Sequence, residues 1–173
     1  MNIIRHFITI TKHRLLVMKL CFKCGLYYQG LTHDLSKYSF VEFFEGAKYY
    51  VGTHSPISEC RKKTGISMAW LHHKGRNKHH GEYWMDNGKC LVIPYKYAVE
   101  SICDQIAAGK NYKGKKYDDT EPLNHWVKNY NPDRINKKTA KFFEQVFTDL
   151  SIYGEKKVLN KKYLKETYKR FCE

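Results

Sequence analysis

The chain has 173 residues, which suits one domain with its own hydrophobic core. Apolar residues make up 42% of it and the formal net charge is +14, so attraction to phosphates is expected, on a nucleotide, a nucleic acid or another anionic surface. No apolar run approaches the roughly 18 residues that a membrane-spanning helix needs. The composition therefore excludes a membrane-spanning chain and predicts a soluble cytoplasmic protein with no membrane partner.

Hydrophobic periodicity predicts helices along most of the chain. The predicted helices cover residues 3–24, 31–50, 58–74, 95–108, 137–151 and 160–171. Gly25 is placed as a helix stop and Pro94 as the first-turn residue of a later helix. Residues 75–88 are predicted to form a loop or short helical turns, and the polar residues 110–123 a surface loop. No stretch alternates like a strand for more than a few residues, so the predicted fold class is all-α.

Six cysteines are dispersed over the chain without a signal peptide, so reduced thiols are predicted rather than a disulfide framework. Cys21 and Cys24 have the CxxC spacing of zinc and redox sites, but a second such pair is lacking. They fall on one face of the first predicted helix. Burial as small apolar residues is therefore the favoured interpretation.

The dipeptide His33-Asp34 is the most informative motif for function. An imidazole and a carboxylate side by side can reach one divalent metal ion, and this pair of ligands suits iron, manganese or zinc. Further candidate ligands lie on other predicted helices and in the loop that follows one of them. These are His13, His73, His79, His80 and Asp104, with His72 as an alternative.

A helical bundle can aim side chains from several helices at one central point. The series therefore predicts a centre with one or two divalent metal ions: iron, manganese or another transition metal, with magnesium also possible. His6, His54 and His125 lack a motif and are assigned structural roles.

Three segments resemble the HD-domain superfamily of metal-dependent phosphohydrolases, whose signature is a histidine, a His-Asp pair and a distant aspartate. They are residues 12–17 around His13, residues 30–37 with the pattern HDxxK, and residues 101–108 around Asp104. The pair His79-His80, with Glu82 two residues on, resembles the motif of the HD-GYP branch, in which extra histidines hold a second metal. The GYP triplet itself is lacking, and the spacing from His73 to His79 is shorter than in that branch.

The sequence is more similar still to an uncharacterised HD-like family of bacteria and phages that has no assigned activity. The shared patterns are HDLSK at residues 33–37, Ala69-Trp70, and NKHHxxYW at residues 77–84. These resemblances imply an HD-type helical bundle with a metal site at its centre. Residues 1–115 are expected to form the metal-binding core, and residues 116–173 a C-terminal helical extension packed on it.

The resemblance also implies roles for individual residues. His13, His33, Asp34 and Asp104 would hold a first metal, and His73, His79 and His80 a second, with Asp34 as the shared bridge. Asp34 and Lys37 are the predicted catalytic residues, because Lys37 follows Asp34 by three positions and faces the same side of a helix. Further substrate-phosphate contacts are assigned to Lys74, Arg76 and Lys78, and base stacking to Tyr83 or Trp84.

Three functions remain open from the sequence. The first is a phosphohydrolase, acting on a phosphomonoester or phosphodiester of a nucleotide or other small molecule with a metal-activated water. The second is an HD-type di-iron oxygenase with the same ligands. The third is a basic module that binds nucleic acid or a nucleotide and keeps a metal for structure. The oligomeric state is not predicted.

Overall fold

The computed structural model describes residues 2–173, which form ten α-helices and one two-stranded hairpin. The helices are α1 (Ile3–Lys23), α2 (Tyr27–Thr32), α3 (Phe40–Lys48), α4 (Pro56–Thr64), α5 (Met68–Arg76), α6 (Tyr95–Lys113), α7 (Glu121–Asn129), α8 (Lys137–Tyr153), α9 (Glu155–Val158) and α10 (Lys161–Cys172). Short 3-10 turns lie at Leu35–Tyr38, Gly81–Trp84, Gly114–Lys116 and Pro132–Arg134. The strands β1 (Met85–Asp86) and β2 (Lys89–Cys90) pair antiparallel. The predicted all-α fold class is confirmed.

One hydrophobic core joins α1 and α6 to the C-terminal helices α8 and α10. Its largest fully buried side chains include Ile102 of α6, Phe142 and Phe147 of α8, and Leu164 of α10. The core runs across residue 115 without a break, so the C-terminal helices share one domain with the N-terminal part. All six cysteines are free, and Cys21 and Cys24 are buried in this core.

The prediction of one continuous helix at residues 58–74 is wrong. The chain instead forms α4 and α5, and Gly65 between them has a φ of +78°, a left-handed conformation that glycine adopts without strain. Ser67 then begins α5, because its hydroxyl accepts a hydrogen bond from the Trp70 amide. This break sets the direction of α5 independently of α4.

Two other boundary predictions are wrong. The segment at residues 31–50 is interrupted after α2, because Asp34 has a left-handed backbone with a φ of +53° and a 3-10 turn follows it. Within the predicted loop at residues 110–123, α6 continues to Lys113 and α7 begins at Glu121. Residues 75–88 form short turns and the hairpin, as predicted in part. None of the helices formed by residues 2–173 is long and apolar enough to cross a membrane.

Close packing of α2 against α1 brings His33 to the centre of the bundle. A Cβ atom on Gly30 would lie 2.9 Å from the Phe22 ring, so only glycine permits this approach. Arg14 of α1 then fixes the end of α2, since its Nε donates to the His33 carbonyl at 2.7 Å and its Nη2 to the Leu31 carbonyl at 3.2 Å. Carbonyls at a helix end lack partners within the helix, and Arg14 supplies them.

Candidate metal centre

Four side chains from α1, the end of α2 and α6 converge beside the core. The ligand atoms of His13, His33, Asp34 and Asp104 all lie within 4.8 Å of one another. The Nε2 atom of His13 is 2.9 Å from Asp104 Oδ1, and that of His33 is 3.3 Å from Asp34 Oδ2. We call this set the first ligand group.

A second ligand group shares Asp34 with the first. Its members are Asp34, His73 of α5, and His79 and His80 of the following turn, again with ligand atoms within 4.8 Å of one another. The Oδ1 atom of Asp34 faces this group, at 3.4 Å from His73 Nε2 and 3.5 Å from His79 Nε2. The Oδ2 atom faces His33 and His13. Each oxygen of one carboxylate thus points to a different group, which is the arrangement that a bridging carboxylate requires.

The backbone of Asp34 explains how one side chain reaches both groups. A left-handed conformation is uncommon for residues other than glycine, and aspartate and asparagine tolerate it best. It ends α2 at the His-Asp pair and turns the chain into the 3-10 turn that carries Lys37. Asp34 is 1% exposed, so its carboxylate lies wholly inside the bundle. Such strained residues concentrate at functional sites.

Two buried glutamates that the sequence analysis did not select bind the outer nitrogens of the ligand histidines. Glu100 Oε1 lies 2.9 Å from His33 Nδ1 and 3.3 Å from His79 Nδ1, so it joins the two groups. Glu42 Oε2 lies 2.7 Å from His73 Nδ1. Metal-binding histidines are usually held by such carboxylates, which fix the tautomer and the ring orientation.

The unpartnered polar atoms support a fit between these residues and a metal ion. Within residues 2–173, nine buried side-chain nitrogen or oxygen atoms have no hydrogen-bond partner. Six of them are ligand atoms: His13 Nε2, His33 Nε2, Asp34 Oδ1, Asp34 Oδ2, His79 Nε2 and His80 Nε2. Two of these six have a close ion-pair contact instead, since His13 Nε2 lies 2.9 Å from Asp104 and Asp34 Oδ2 lies 2.6 Å from Lys37. Buried polar atoms without partners cost stability, and a cation coordinated by them removes that cost. Imidazole nitrogens mixed with carboxylate oxygens suit iron, manganese and zinc.

Most of the ligands are held in the protonation state that binds a metal. Burial opposes ionisation of Asp34 and Asp104, but the charge of His33 on Asp34 and the close contact of His13 with Asp104 outweigh it, and both carboxyl pKa values are well below their usual range. Burial and then neighbouring positive charges lower the pKa of His13 and of His80, which keeps both rings neutral.

His33 differs from His13 and His80 because its pKa is raised and not lowered. Burial lowers its pKa, but the charge of Asp34 and the hydrogen bonds with Asp104, Asp34 and Glu100 raise it well above the usual value. Ligation through Nε2 requires that position to be deprotonated, so metal binding at His33 releases a proton.

Of the predicted substrate-binding residues, the structure places one at the centre and the others at or near the surface. Lys37 lies at the centre, with its Nζ atom 2.6 Å from Asp34 Oδ2. Lys74 is half-buried, while Arg76 and Lys78 are exposed at the end of α5 and in the turn after it. The Lys78 ammonium lies over the ring of Tyr83, 5.5 Å from its centroid. Tyr83 is exposed, whereas Trp84 is half-buried against the hydrophobic core.

The histidines assigned structural roles lie outside both ligand groups. His6 is buried against Phe43 and Tyr50. His54 contacts Glu59, and His125 is exposed on α7. His72, the alternative ligand, instead lies 2.6 Å from Glu42 through its Nδ1 atom.

The fold and the centre together define an all-α bundle with a buried cluster of histidines and carboxylates. Residues 2–149 match the model of a family described as "Family of unknown function (DUF5662)". The match covers most of the chain, so this protein belongs to that family. Neither a curated protein nor a solved structure matches the chain.

Proposed function

We propose that this protein is a metal-dependent phosphohydrolase of the HD type that cleaves a nucleotide or another phosphorylated compound. One observation carries the proposal: the two oxygens of buried Asp34 face two separate groups of histidines. Bridging carboxylates of this kind are typical of two-metal hydrolytic sites. The resemblance of residues 12–17, 30–37 and 101–108 to HD-domain phosphohydrolases supports the same conclusion.

In the proposed hydrolysis, the metal ligands, the two buried glutamates and Lys37 have different roles. Divalent metal ions at the two groups would lower the pKa of a bound water and polarise a phosphoryl oxygen. Glu42 and Glu100 hold the histidine rings in one orientation, which keeps the site preorganised. Lys37 offers a positive charge beside Asp34, at the place where negative charge on the phosphoryl oxygens needs stabilisation.

Neighbouring carboxylates keep Lys37 permanently charged in spite of its burial. Burial alone would lower its pKa, but the charges of Asp34 and Asp104 raise it above the usual lysine value. A lysine that stays protonated is suited to bind phosphate and is unsuited to act as a general base at neutral pH. Lowering the pKa of the attacking water would therefore fall to metal ions held by the two ligand groups.

A cytoplasmic location and phosphorylated partners are consistent with this chemistry. Six free cysteines are typical of a cytoplasmic location, where thiols stay reduced. The formal charge of +14 favours phosphorylated partners, among which nucleic acid is an alternative to a small molecule.

The test is hydrolysis of phosphomonoester and phosphodiester reporter substrates by protein loaded with manganese, iron or zinc. We expect turnover with at least one metal and a loss of roughly 10²–10³-fold in kcat for Lys37→Gln, the effect of removing one electrostatic contact to a developing oxyanion. The matched control is Lys19→Gln, since Lys19 is exposed on α1. Equal turnover in both variants would contradict the proposal. Oxygen consumption by the iron form would favour the oxygenase. Salt-sensitive nucleic-acid binding without turnover would favour the basic module.

A further inference from the structure

A small pocket adjoins the candidate metal centre, and Lys37 contributes to both. It lies between α1, α3, the start of α4 and the end of α6, with a volume of about 60 Å³. Lys37 also contacts Asp34, so one side chain links the pocket to the bridging carboxylate. The proposed function does not yet give this pocket a role.

Hydrogen-bond donors line the pocket. Besides Lys37, it presents the side chains of His6, Thr9, Ser55 and Tyr112. A lysine ammonium has three N–H donors, and the ion pair of Lys37 with Asp34 at 2.6 Å leaves donors for a ligand. The Thr9 hydroxyl already donates to the Arg5 carbonyl at 2.8 Å, whereas the hydroxyls of Ser55 and Tyr112 and a neutral imidazole can each donate one hydrogen bond. The pocket is therefore rich in groups that bind an oxygen-bearing ligand.

His6 adds a buried polar atom that lacks a partner. The residue is 5% exposed, and its Nδ1 atom has no hydrogen-bond partner. Its ring packs so tightly on α3 that a Cβ atom on Gly46 would lie 2.5 Å from Nε2. The imidazole is thus fixed at the pocket wall with an unused nitrogen, which is costly unless a ligand or water occupies the pocket.

The N-terminus of α4 provides a second feature that favours an anion. The nine-residue helix begins at Pro56, and both Pro56 and Ile57 line the pocket. The first amides of a helix lack partners within it, and their aligned dipoles favour negative charge. Pro56 has no amide hydrogen and the Ser55 side chain caps no amide of the helix, so the Ile57 amide is the one that stays available to a ligand.

The lining charges agree with an anionic ligand. Lys37 is the cation of the pocket, and Glu42 is its carboxylate. Both oxygens of Glu42 are already engaged, Oε1 by His72 at 2.6 Å and Oε2 by His73 at 2.7 Å. The remaining lining groups are neutral or apolar, so the Lys37 ammonium and the start of α4 are the parts of the lining that attract an anion.

We propose that this pocket binds the terminal phosphoryl group of the substrate, which makes phosphomonoesters the substrate class. Hydrolysis of a phosphomonoester depends on the proposed function, whereas binding of phosphate in the pocket does not. Pockets that enclose drug-sized ligands have roughly 300–1,000 Å³, so about 60 Å³ admits a phosphate and leaves a sugar or base outside. A phosphodiester carries organic groups on two of the four oxygens of phosphorus, so its phosphoryl group enters a pocket of this size less readily than that of a monoester. Tyr112 and Ser55 are positioning residues for the phosphoryl oxygens.

Calorimetric titration with inorganic phosphate tests the pocket, on metal-free and on metal-loaded protein. We expect phosphate binding that is weakened about tenfold or more by Tyr112→Phe, which removes a hydrogen bond to a charged ligand, and by Ser55→Leu, which fills the space. The matched control is Tyr130→Phe, because Tyr130 is exposed directly after α7 and does not line the pocket. Circular dichroism of each variant verifies the fold.

Reporter kinetics give the second readout. We expect a higher kcat/KM for a phosphomonoester than for a phosphodiester, and a rise in the KM for the monoester in Tyr112→Phe. Undiminished phosphate binding in both pocket variants, absence of binding to the wild type, or a preference for diesters would overturn the inference. If metal-free wild type binds phosphate and the variants do not, while no substrate is hydrolysed, the pocket stands and the proposed hydrolysis fails.

Discussion

Replacing Glu100 by glutamine removes the carboxylate that joins the two ligand groups. One oxygen of Glu100 lies 2.9 Å from His33 Nδ1 and 3.3 Å from His79 Nδ1, and each of these histidines belongs to a different group. Glutamine keeps the shape of the side chain but loses the negative charge. It therefore weakens both outer contacts without changing a ligand atom.

The expected magnitude follows from the role of such carboxylates. Loss of an outer partner of a metal-binding histidine lowers metal affinity by about 10–100-fold, which corresponds to about 1.4–2.7 kcal/mol. Because Glu100 serves a histidine in each group, Glu100→Gln is expected to weaken both metal equivalents. Glu42 contacts His73 alone among the ligands, so Glu42→Gln is expected to weaken only the second ligand group.

Competition with a chromophoric chelator measures the two affinities separately, with manganese and zinc as probes. Glu144→Gln is the matched control, since Glu144 is exposed on α8. We expect two weakened equivalents for Glu100→Gln, one for Glu42→Gln and none for the control. If Glu100→Gln bound metal as tightly as wild type, its place behind His33 and His79 would have no functional meaning. The reasoning from outer carboxylates to metal affinity would then be refuted.

Three other predictions concern stability and pH. Phe147 is fully buried in the core, so Phe147→Ala is expected to lower the free energy of unfolding by about 3–5 kcal/mol in urea titrations; a loss below 1 kcal/mol would contradict the described core. The buried Thr139 hydroxyl accepts the Ile93 amide at 3.1 Å, so Thr139→Val is expected to cost about 1–3 kcal/mol by the same assay, and an unchanged midpoint would contradict it. Burial and then the charge of Lys37 lower the pKa of His6 to about 4. Below pH 6.5 His6 is therefore protonated in the unfolded chain but stays neutral in the folded chain. The free energy of unfolding consequently decreases as the pH falls from 6.5 to about 4. In that window the urea midpoint of His6→Phe is expected to depend less on pH than that of the wild type. The same pH dependence in both proteins would refute the prediction.

The long elements were predictable because their apolar spacing is regular. Residues 3–24 and 95–108 gave α1 and most of α6, and these two helices carry His13 and Asp104. The His33-Asp34 pair was recognisable from local sequence alone. The structure brings all seven predicted ligands into two groups around Asp34. Binding of a metal by them stays a prediction.

The breaks in the chain were harder to predict. Gly65 interrupts a run of helix-forming residues, and a single glycine within such a run is often tolerated. The left-handed Asp34 has no local signal, because tertiary contacts such as those of Arg14 hold the end of α2 in place. Helix α7 spans only nine residues and is largely exposed, so the polar composition of residues 110–123 concealed its start at Glu121.

The outer partners of the ligands were missed for a similar reason. Glu100 lies four residues before Asp104, on the same face of α6, and this spacing was the signal that could have identified it. Glu42 has no comparable relation to His73 in sequence, and only the packing of α3 against α5 brings them together. The pocket was missed for the same reason, because its lining residues come from several helices that are distant in sequence.

Elemental mass spectrometry of the purified protein tests the central claim most directly, for wild type and for Asp34→Ala. Asp34 is the residue shared by both ligand groups, so its loss should affect both. The account predicts one or two equivalents of a divalent metal in wild type, before or after reconstitution, and their loss in Asp34→Ala while the helical content is retained. A wild type that binds no metal under any of these conditions would contradict the metal centre and the hydrolytic function built on it.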